Sequence, residues 1–248
     1  MRIAHDTWLS TVLERPVFAV TIAPDDDRAR SVAEVAGHAG GHANGFYFVK
    51  LPSTDVAGVA QFAAAGFQVV EARLGFSQPL DSFTRFEDDE DQSISVSPFD
   101  ASWRDGVLEI AGSSFKYSRF HMDPGIGGTL ADRVKREWIR SYVERRRGDC
   151  LLVACDRGTP VGFAAMLVQD RQPRSAAVID LIGVHPGAQR HGIGRRLIAA
   201  AAAAYTPRCG TLDVGTQACN IPSVRLYERT GFRLVESSFM LHRHVHGG

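Results

Sequence analysis

The residues best suited to chemistry lie in a glycine-rich segment, Ile182–Ile198, which reads IGVHPGAQRHGIGRRLI. A strand ending at Val184, a short loop and a helix opening at Gly192 would leave backbone N–H groups without partners at the turn. Such N–H groups, together with the positive end of the helix dipole, bind phosphate. Gly192 and Gly194 remove side chains where a phosphate must approach closely. Three arginines add positive charge at the same place: Arg190, Arg195 and Arg196.

Two other nucleotide-binding motifs do not fit this segment. The GxGxxG pattern of dinucleotide-binding folds is incomplete, and no acidic residue ends a following strand at the required spacing. A phosphate-binding loop of the Walker A type would need Gly-Lys-Ser/Thr, which does not follow here. An ordinary strand–turn–helix connection without a ligand is the remaining alternative.

A second segment with functional residues runs from Asn220 to Phe232 and reads NIPSVRLYERTGF. Asn220 can cap a helix, Pro222 suits its first turn, and Gly231 suits its left-handed end. These structural roles are sufficient for Asn220 and Gly231 by themselves. The pattern therefore predicts a short helix that contains Tyr227.

Both segments resemble signatures of the GNAT superfamily of N-acetyltransferases: the Q/R-x-x-G-x-G/A loop preceded by Val-x-Pro, and N-x-x-[AS]-x-x-x-Y-x-x-x-G-F. The resemblance implies acetyl-CoA as co-substrate. It implies that Tyr227 protonates the departing thiolate, with a core tyrosine as the alternative, and that Asn220 also contacts the cofactor. The implied cofactor-binding residues are Ile182, Gly183, Val184, Gln189, Arg190, His191, Gly192, Ile193, Gly194, Arg195, Asn220 and Tyr227.

Asp180 lies four residues before Val184 on the strand that the resemblance places beside the cofactor. Many members of the superfamily keep a carboxylate there as general base, usually acting through water. Asp180 is therefore predicted either as the catalytic base or as a structural or substrate contact. A backbone N–H of the Ile182–Val184 strand would polarise the thioester carbonyl.

The acceptor side is expected in the connection between the first two helices of the catalytic part, residues 113–124, which reads SSFKYSRFHMDP. Its hydrogen-bonding and aromatic groups suit a polar substrate. With Trp138-Ile139 and the VGTQACN stretch, it resembles the bacterial TDP-fucosamine acetyltransferases, which acetylate a TDP-linked amino-deoxysugar. The implied substrate-binding residues are Ser118, Arg119, His121 and Asp123. A loop held by its own internal hydrogen bonds is the alternative.

These patterns are compatible with three functions. The first is an N-acetyltransferase for a nucleotide-linked amino sugar, which calls for arginines and aromatic rings. The second is a GNAT enzyme for another amine, such as a polyamine, an antibiotic or a protein N-terminus, and a polyamine would call for an acidic pocket. The third is a non-catalytic acyl-CoA sensor, against which Tyr227 and the intact loop argue.

Composition narrows the partners. The 248 residues are 44% hydrophobic and carry zero formal net charge, so a folded core is expected and no basic field attracts nucleic acid. The apolar stretches are too short to span a bilayer, which predicts a cytoplasmic protein with a small-molecule amine as partner; a homodimer is left open. The four cysteines form no CxxC pair, and no functional metal site is expected, the HRHVH stretch near the C-terminus included.

The elements that must position these residues form the order β-α-α-β-β-β-α-β-α-β-β in residues 93–248 and end in a strand pair at Phe232–Leu241. The acidic stretch at residues 81–92 is predicted to be a linker. Residues 1–80 repeat the plan strand, helix, glycine, strand at an offset of 165 residues, with Phe62 opposite Tyr227. The predicted fold class is α/β: a GNAT fold with a mixed central sheet, preceded by a degenerate half-GNAT-like domain at residues 1–80.

Overall fold

The structure, a computed structural model, describes residues 1–83 and 93–246. The strands in this part of the chain are β1 Arg2–His5, β2 Val17–Thr21, β3 Phe46–Pro52, β4 Gln68–Pro79, β5 Ile94–Pro98, β6 Cys150–Asp156, β7 Thr159–Gln169, β8 Ala176–Val184, β9 Thr211–Gln217 and β10 Arg233–His244. The α-helices are α1 Thr7–Leu13, α2 Arg28–Gly40, α3 Val56–Ala64, α4 Arg104–Ser113, α5 Gly128–Val143, α6 Ile193–Tyr205 and α7 Ile221–Arg229.

All ten described strands belong to one mixed sheet, in the order β1-β2-β3-β10-β4-β9-β8-β7-β6-β5. Two neighbouring pairs are parallel, β2 with β3 and β8 with β9, and the others are antiparallel. Helices α2, α3, α6 and α7 bury their apolar side chains on one face of the sheet. Helices α1, α4 and α5 cover the opposite face, and this second face carries the polar residues described below.

The predicted internal repeat is visible in the element bounds. Helix α2, strand β3, helix α3 and strand β4 recur as α6, β9, α7 and β10, each with the same length and each shifted by 165 residues. Chance similarity does not produce four consecutive elements of matched length and spacing. The chain therefore contains two copies of one supersecondary unit, which we call the first and second repeats.

The two repeats exchange their last strands. Strand β10 lies between β3 and β4, and β4 lies between β10 and β9. Arg73 pairs with Ser238, its own equivalent in the other repeat. Ser238 also pairs with Pro52 of β3, just as Arg73 pairs with Gln217 of β9. These registers place an approximate twofold axis between Arg73 and Ser238.

The exchange corrects the prediction of a final strand pair at Phe232–Leu241. The structure has one twelve-residue strand there, β10. The stretch RLVESSFMLHRH contains no glycine, proline or asparagine that would favour a turn. Its antiparallel partners, β3 and β4, both come from the first repeat.

The boundary at residue 80 consequently does not separate two sheets. Phe76 and Leu80, each 2% exposed, belong to the first stretch of chain but pack in the core cluster beneath α6 and α7. The predicted linker at residues 81–92 falls mostly outside the described residues. No helix in the described ranges has the length and apolar character needed to cross a membrane.

A fragment of residues 93–248 is expected not to fold by itself. It would lose β3 and β4, so β10 would have neither of its strand partners and β9 would have one unpaired edge. The core would also lose Phe76 and Leu80. Circular dichroism during thermal denaturation, with the full chain as control, is expected to show no cooperative transition for the fragment. A cooperative transition at the full chain's melting temperature would contradict the structural dependence of the second repeat on the first.

Candidate functional site

The sheet opens at the centre of the second repeat. Strands β8 and β9 pair in parallel from Ala176–Ile179 with Thr211–Val214, and the pairing stops there although β8 continues to Val184 and β9 to Gln217. In the first repeat, β2 pairs with β3 along four of its five residues. We call the opening between the ends of β8 and β9 the splay. Beyond the paired positions β8 continues for five residues and β9 for three, whereas β2 continues for only one residue beside β3. The ends of β8 and β9 therefore offer two strand edges between which an extended ligand could lie.

The loop after β8 has the geometry of an anion site. Arg190 and Gly192 both adopt the left-handed conformation, with φ of 69° and 74°. The first backbone hydrogen bond of α6 runs from Arg196 N to Gly192 O, at 3.1 Å. The N–H groups of residues 190–194 donate to no other residue in the described part of the chain. A side chain at Gly192 would meet open space, so the turn exposes main-chain donors as predicted.

Two side chains hold this loop to the end of β8. Val184 O accepts hydrogen bonds from Ser114 Oγ at 3.1 Å and from Gln189 Nε2 at 3.3 Å. The Gln189 side chain therefore closes the loop onto the strand, and its predicted cofactor contact would come from its main chain. The loop is thus positioned by α4 on one side and by its own side chain on the other.

Tyr227 lies on α7 beneath the splay. Asn220 caps the helix through Ser223 N at 3.4 Å, and Gly231 follows its end with φ of 89°. The Tyr227 ring is 2% exposed and lies 5.7 Å from the rings of Phe76 and Phe232. Its hydroxyl makes no hydrogen bond with a described residue, and burial raises the pKa of Tyr227 well above its usual value. The phenol therefore keeps its proton at neutral pH.

Asp180 is the extra residue of a β-bulge, since Leu181 pairs with Ala165 and Ile179 with Met166. The bulge turns its carboxylate toward α5. Three donors reach Oδ2 of that carboxylate: Trp138 Nε1 at 2.7 Å, Tyr142 Oη at 2.7 Å and Arg147 Nε at 2.9 Å. Of the two predicted roles, this geometry favours the structural contact, because the carboxylate oxygen is already occupied by three donors of the protein.

The four predicted substrate-binding residues separate into two groups. Ser118 Oγ bonds to His121 Nδ1 at 2.7 Å, and His121 Nε2 bonds to Asp132 at 3.0 Å. Asp123 is buried and accepts from Gly125 N at 2.8 Å. These three residues fold the loop onto itself, as the alternative prediction described. Arg119 instead reaches strands β3 and β10, where it contacts Phe48 and His242.

A pair of histidines on β10 completes the anchor of that loop. His242 Nδ1 lies 2.6 Å from Asp123, and His244 Nε2 lies 2.9 Å from it. Burial lowers the pKa of His242 to about 4. A neutral His242 that donates from Nδ1 leaves Nε2 to accept from Arg119 Nη1, 3.2 Å away. Within the described residues, no cluster of histidine, cysteine or acidic side chains could hold a metal ion.

The arginine of this loop lies among aromatic rings. The Arg119 guanidinium is 4.1 Å from the centroid of the Phe48 ring and 4.5 Å from that of Phe120. Burial lowers the pKa of Arg119 to about 10, so the side chain stays charged at neutral pH.

Sequence reasoning missed three charged residues on the same face. Glu71 and Arg73 come from β4 of the first repeat. Glu71 accepts from Gln217 Nε2 at 2.7 Å, and the Arg73 guanidinium lies against Gly215, where a side chain would collide with it. The third residue is Lys135 on α5, which is 6% exposed.

Lys135 is surrounded by rings. Its ammonium nitrogen is 5.0 Å from the centroid of Phe115, 5.1 Å from Trp138 and 5.9 Å from Phe120. Burial lowers the pKa of Lys135 to about 8. Leu130, Val134, Trp138 and Tyr142 recur every four residues in the sequence and form an apolar stripe on α5, beside which Lys135 lies. A charged residue beside an apolar stripe was the available signal.

A cavity of about 410 Å³ continues from this face toward α1. Arg119 and Trp138 line the cavity and also contact the residues of the face just described. The Arg147 guanidinium lies 4.8 Å from the Trp138 ring. The lining residues combine aromatic rings with charged and polar groups: Asp6, Trp8, Leu9, Arg119, Phe120, Trp138, Ser141, Arg146 and Arg147.

Comparison with known proteins agrees with this geometry. Residues 116–232 match the model described as the Acetyltransferase (GNAT) family. This segment contains the splay, the glycine loop and Tyr227. The chain is also 28% identical over 200 residues to the spore coat polysaccharide biosynthesis protein SpsD of Bacillus subtilis, a match that spans 79% of this chain and 66% of that protein, just under two thirds of its length.

Solved structures share the fold. A GCN5-related N-acetyltransferase from Sphaerobacter thermophilus superposes with a TM-score of 0.67 at 14% identity, over 99% of this chain and 76% of that one. A tandem GNAT protein from the clavulanic acid biosynthesis pathway gives a TM-score of 0.64 at 15% identity, over 94% and 77%. The chain has the α/β GNAT fold with a mixed sheet, and the family match together with this fold supports an N-acetyltransferase enzyme.

Proposed function

We propose that this protein transfers the acetyl group of acetyl-CoA to the amino group of a nucleotide-linked amino-deoxysugar. The observation that carries the donor half of the proposal is the juxtaposition of the splay, the open N–H groups of residues 190–194 and the buried Tyr227. An extended thioester with a diphosphate at one end fits such an opening, because the diphosphate meets unpaired main-chain donors.

Different parts of the chain bind different parts of acetyl-CoA. The N–H groups of the loop bind the diphosphate of coenzyme A, and the edge of β8 at Ile182–Val184 holds the pantetheine arm. A backbone N–H of the same strand stabilises the negative charge that develops on the thioester oxygen. This arrangement positions the thioester sulfur near Tyr227.

The transfer is a direct attack. The neutral amine forms a bond to the thioester carbon, the carbon–sulfur bond breaks, and Tyr227 gives its phenolic proton to the departing thiolate. The proton released by the amine nitrogen restores the phenol, so atoms and charge balance over one turnover. Asp180 serves this step indirectly, because its carboxylate fixes Trp138, Tyr142 and Arg147 beside the acceptor.

Charge and ring content support the acceptor class. We call the face of the sheet that carries Arg73, Arg119 and Lys135 the acceptor face; it also presents aromatic rings. Its carboxylates Glu71 and Asp180 are already hydrogen-bonded, Glu71 to Gln217 and Asp180 to α5. A polyamine would meet positive charge here, so this alternative is disfavoured. The relative SpsD is a spore coat polysaccharide biosynthesis protein, which agrees with a sugar as the acceptor of this chain.

Mass spectrometry after incubation with acetyl-CoA tests the whole proposal. TDP-linked amino-deoxysugars are expected to gain one acetyl group with release of free coenzyme A, and the same sugars without an amino group serve as control. Parallel reactions contain polyamines, amine antibiotics and peptides with free N-termini. Acetylation of one of these and of none of the sugar nucleotides would overturn the acceptor assignment, and no coenzyme A release with any amine would support a sensor.

A further inference from the structure

We infer that Arg73, Arg119 and Lys135 form a binding site for an anionic group of the acceptor, built jointly by the first repeat and by the segment that contains α5. The inference rests on the proposed function only in that the acceptor is placed on this face of the sheet. Arg73 comes from β4 of the first repeat, whereas Arg119 and Lys135 come from the loop before α5 and from α5 itself. We call these three residues the cationic trio.

None of the three has a carboxylate partner among the described residues. Arg119 reaches only His242 Nε2 at 3.2 Å and Met240 Sδ at 3.7 Å, and Arg73 and Lys135 form neither a hydrogen bond nor an ion pair there. Arg28 provides a contrast, because this semi-buried cation is paired with Asp55 at 2.7 Å. A buried charge without a counter-ion is costly. Lys135 is buried and the two arginines are half-buried, so we assign the missing counter-charge on this face to a ligand.

The three cations of the trio are close enough for their charges to interact. Arg119 and Lys135 approach the same ring, with the guanidinium carbon 4.5 Å and the ammonium nitrogen 5.9 Å from the centroid of Phe120. Burial is the main cause of the lowered pKa of Lys135, and the positive charges of Arg119 and Arg73 contribute to it. The same Arg73 charge lowers the pKa of Tyr227 against the larger effect of burial. Arg73 therefore connects the trio to the catalytic phenol.

The acidic groups around the trio are already occupied. Glu71 accepts from Gln217, Asp180 accepts from three donors on or after α5, and Asp123 is bonded to two imidazoles. Asp6, which lines the 410 Å³ cavity together with Arg119, raises the pKa of Arg119 through its negative charge. The charge of Glu71 acts on both Arg119 and Lys135 and raises the pKa of each against the larger effect of burial. One carboxylate without a salt bridge of its own among the described residues nevertheless faces three cations, so positive charge is in excess here.

An oxyanion is the chemistry that this site recognises. Guanidinium groups bind phosphate and carboxylate through paired N–H donors, and an ammonium adds a point charge. The adjoining cavity, with Trp8, Phe120 and Trp138, extends the site for a planar ring beyond the anion. We assign the anion to a phosphate of the acceptor, with a sugar carboxylate as the other source of the same charge.

Binding of inorganic pyrophosphate to protein saturated with coenzyme A tests the assignment, because the donor loop is then filled. Tryptophan fluorescence reports binding, since Trp138 lies beside Lys135. Lys135→Met and Arg73→Met are expected to weaken pyrophosphate binding at least about 10-fold, and Arg30→Met, which removes an exposed cation on α2, is expected to leave it unchanged. Unchanged affinity in Lys135→Met and Arg73→Met, or complete competition by coenzyme A, would overturn the proposal.

Two further measurements complete the test: one variant distinguishes loss of binding from loss of folding, and one alternative ligand identifies the kind of anion. Gly215→Ala keeps every charge but crowds the Arg73 guanidinium, so it is expected to weaken pyrophosphate binding even where Lys135→Met does not fold. Oxalate is the carboxylate probe: oxalate binding tighter than pyrophosphate, with the same dependence on Lys135, supports the trio with a carboxylate source. Neither measurement requires acetyl transfer, so the trio and the proposed reaction can fail separately.

The pH dependence gives a signature that a merely structural lysine would lack. Sulfate keeps its charge through neutral and mildly alkaline pH, and its affinity is expected to fall as the pH rises through about 8, where Lys135 loses its proton. In Lys135→Arg the site stays charged, so this decrease is expected to disappear. The same decrease in both proteins would show that Lys135 does not bind the anion.

Discussion

Replacement of Tyr227 by phenylalanine is expected to lower kcat about 100-fold and to leave acetyl-CoA affinity unchanged. The substitution removes only the hydroxyl, which makes no hydrogen bond with a described residue, so packing against Phe76 and Phe232 is kept. Burial holds the pKa of the Tyr227 phenol above its usual value, which keeps the proton available for transfer to the thiolate. Steady-state kinetics and calorimetric titration with acetyl-CoA measure the two quantities.

Tyr205→Phe is the matched control for this substitution. Tyr205 is fully buried on α6, and its hydroxyl donates to Asp149 at 2.5 Å, away from the splay. Loss of that bond is expected to cost about 1–3 kcal/mol of unfolding free energy with kcat unchanged. Full turnover in Tyr227→Phe would remove Tyr227 from the acid role, and an equal loss in both variants would indicate a stability effect instead.

Replacement of Gly192 by tryptophan is expected to weaken acetyl-CoA binding about 100-fold or more, because the indole would fill the space that the diphosphate needs. A Cβ atom at this position would meet no protein atom within 4 Å, so we expect the indole to extend from the open turn in front of the N–H groups. Isothermal titration with acetyl-CoA and with coenzyme A measures the loss. Both ligands should be affected equally, since they share the diphosphate.

Gly158→Trp is the control that separates backbone strain from blockage. Gly158, in the turn between β6 and β7, has φ of 84° and also faces open space, while Gly192 has φ of 74°. Both variants carry a similar cost for a side chain in the left-handed region, about 1–2 kcal/mol. The donor loop would be wrongly assigned if Gly192→Trp bound acetyl-CoA as well as Gly158→Trp does.

The parts of this site that could be predicted from the sequence are set by local chemistry. Gly192 opens α6, Asn220 caps α7, and Gly231 follows the end of α7 in the left-handed conformation, each within a few residues of the group it affects. Turn and capping preferences act over such short distances. The loop and the tyrosine helix were therefore predicted at the positions where the structure has them.

The acceptor face could not be predicted in this way, because its residues meet only through the topology. Arg73 lies against Gly215, 142 positions later in the chain, because the repeats exchange strands. The apolar spacing of α5 obscured Lys135, and the hydrogen-bonding capacity of Ser118, His121 and Asp123 suggested ligand contacts although it is spent inside the loop. Pairing between distant strands follows from packing, which a pattern in one segment does not reveal.

The exchanged strands also bear on how specificity and catalysis can change. In a dimer of identical half-molecules each copy would carry the same donor opening, and a change in one would appear in both. Here covalent linkage fixes a one-to-one pairing and lets the copies diverge. Strand β2 ends one residue past its pairing with β3, whereas β8 continues past its pairing with β9. The first copy nevertheless supplies Glu71 and Arg73 to the face of the sheet on which we place the acceptor. Substitutions on β4 can thus retune acceptor choice while the thioester machinery, encoded more than a hundred residues away, is left intact.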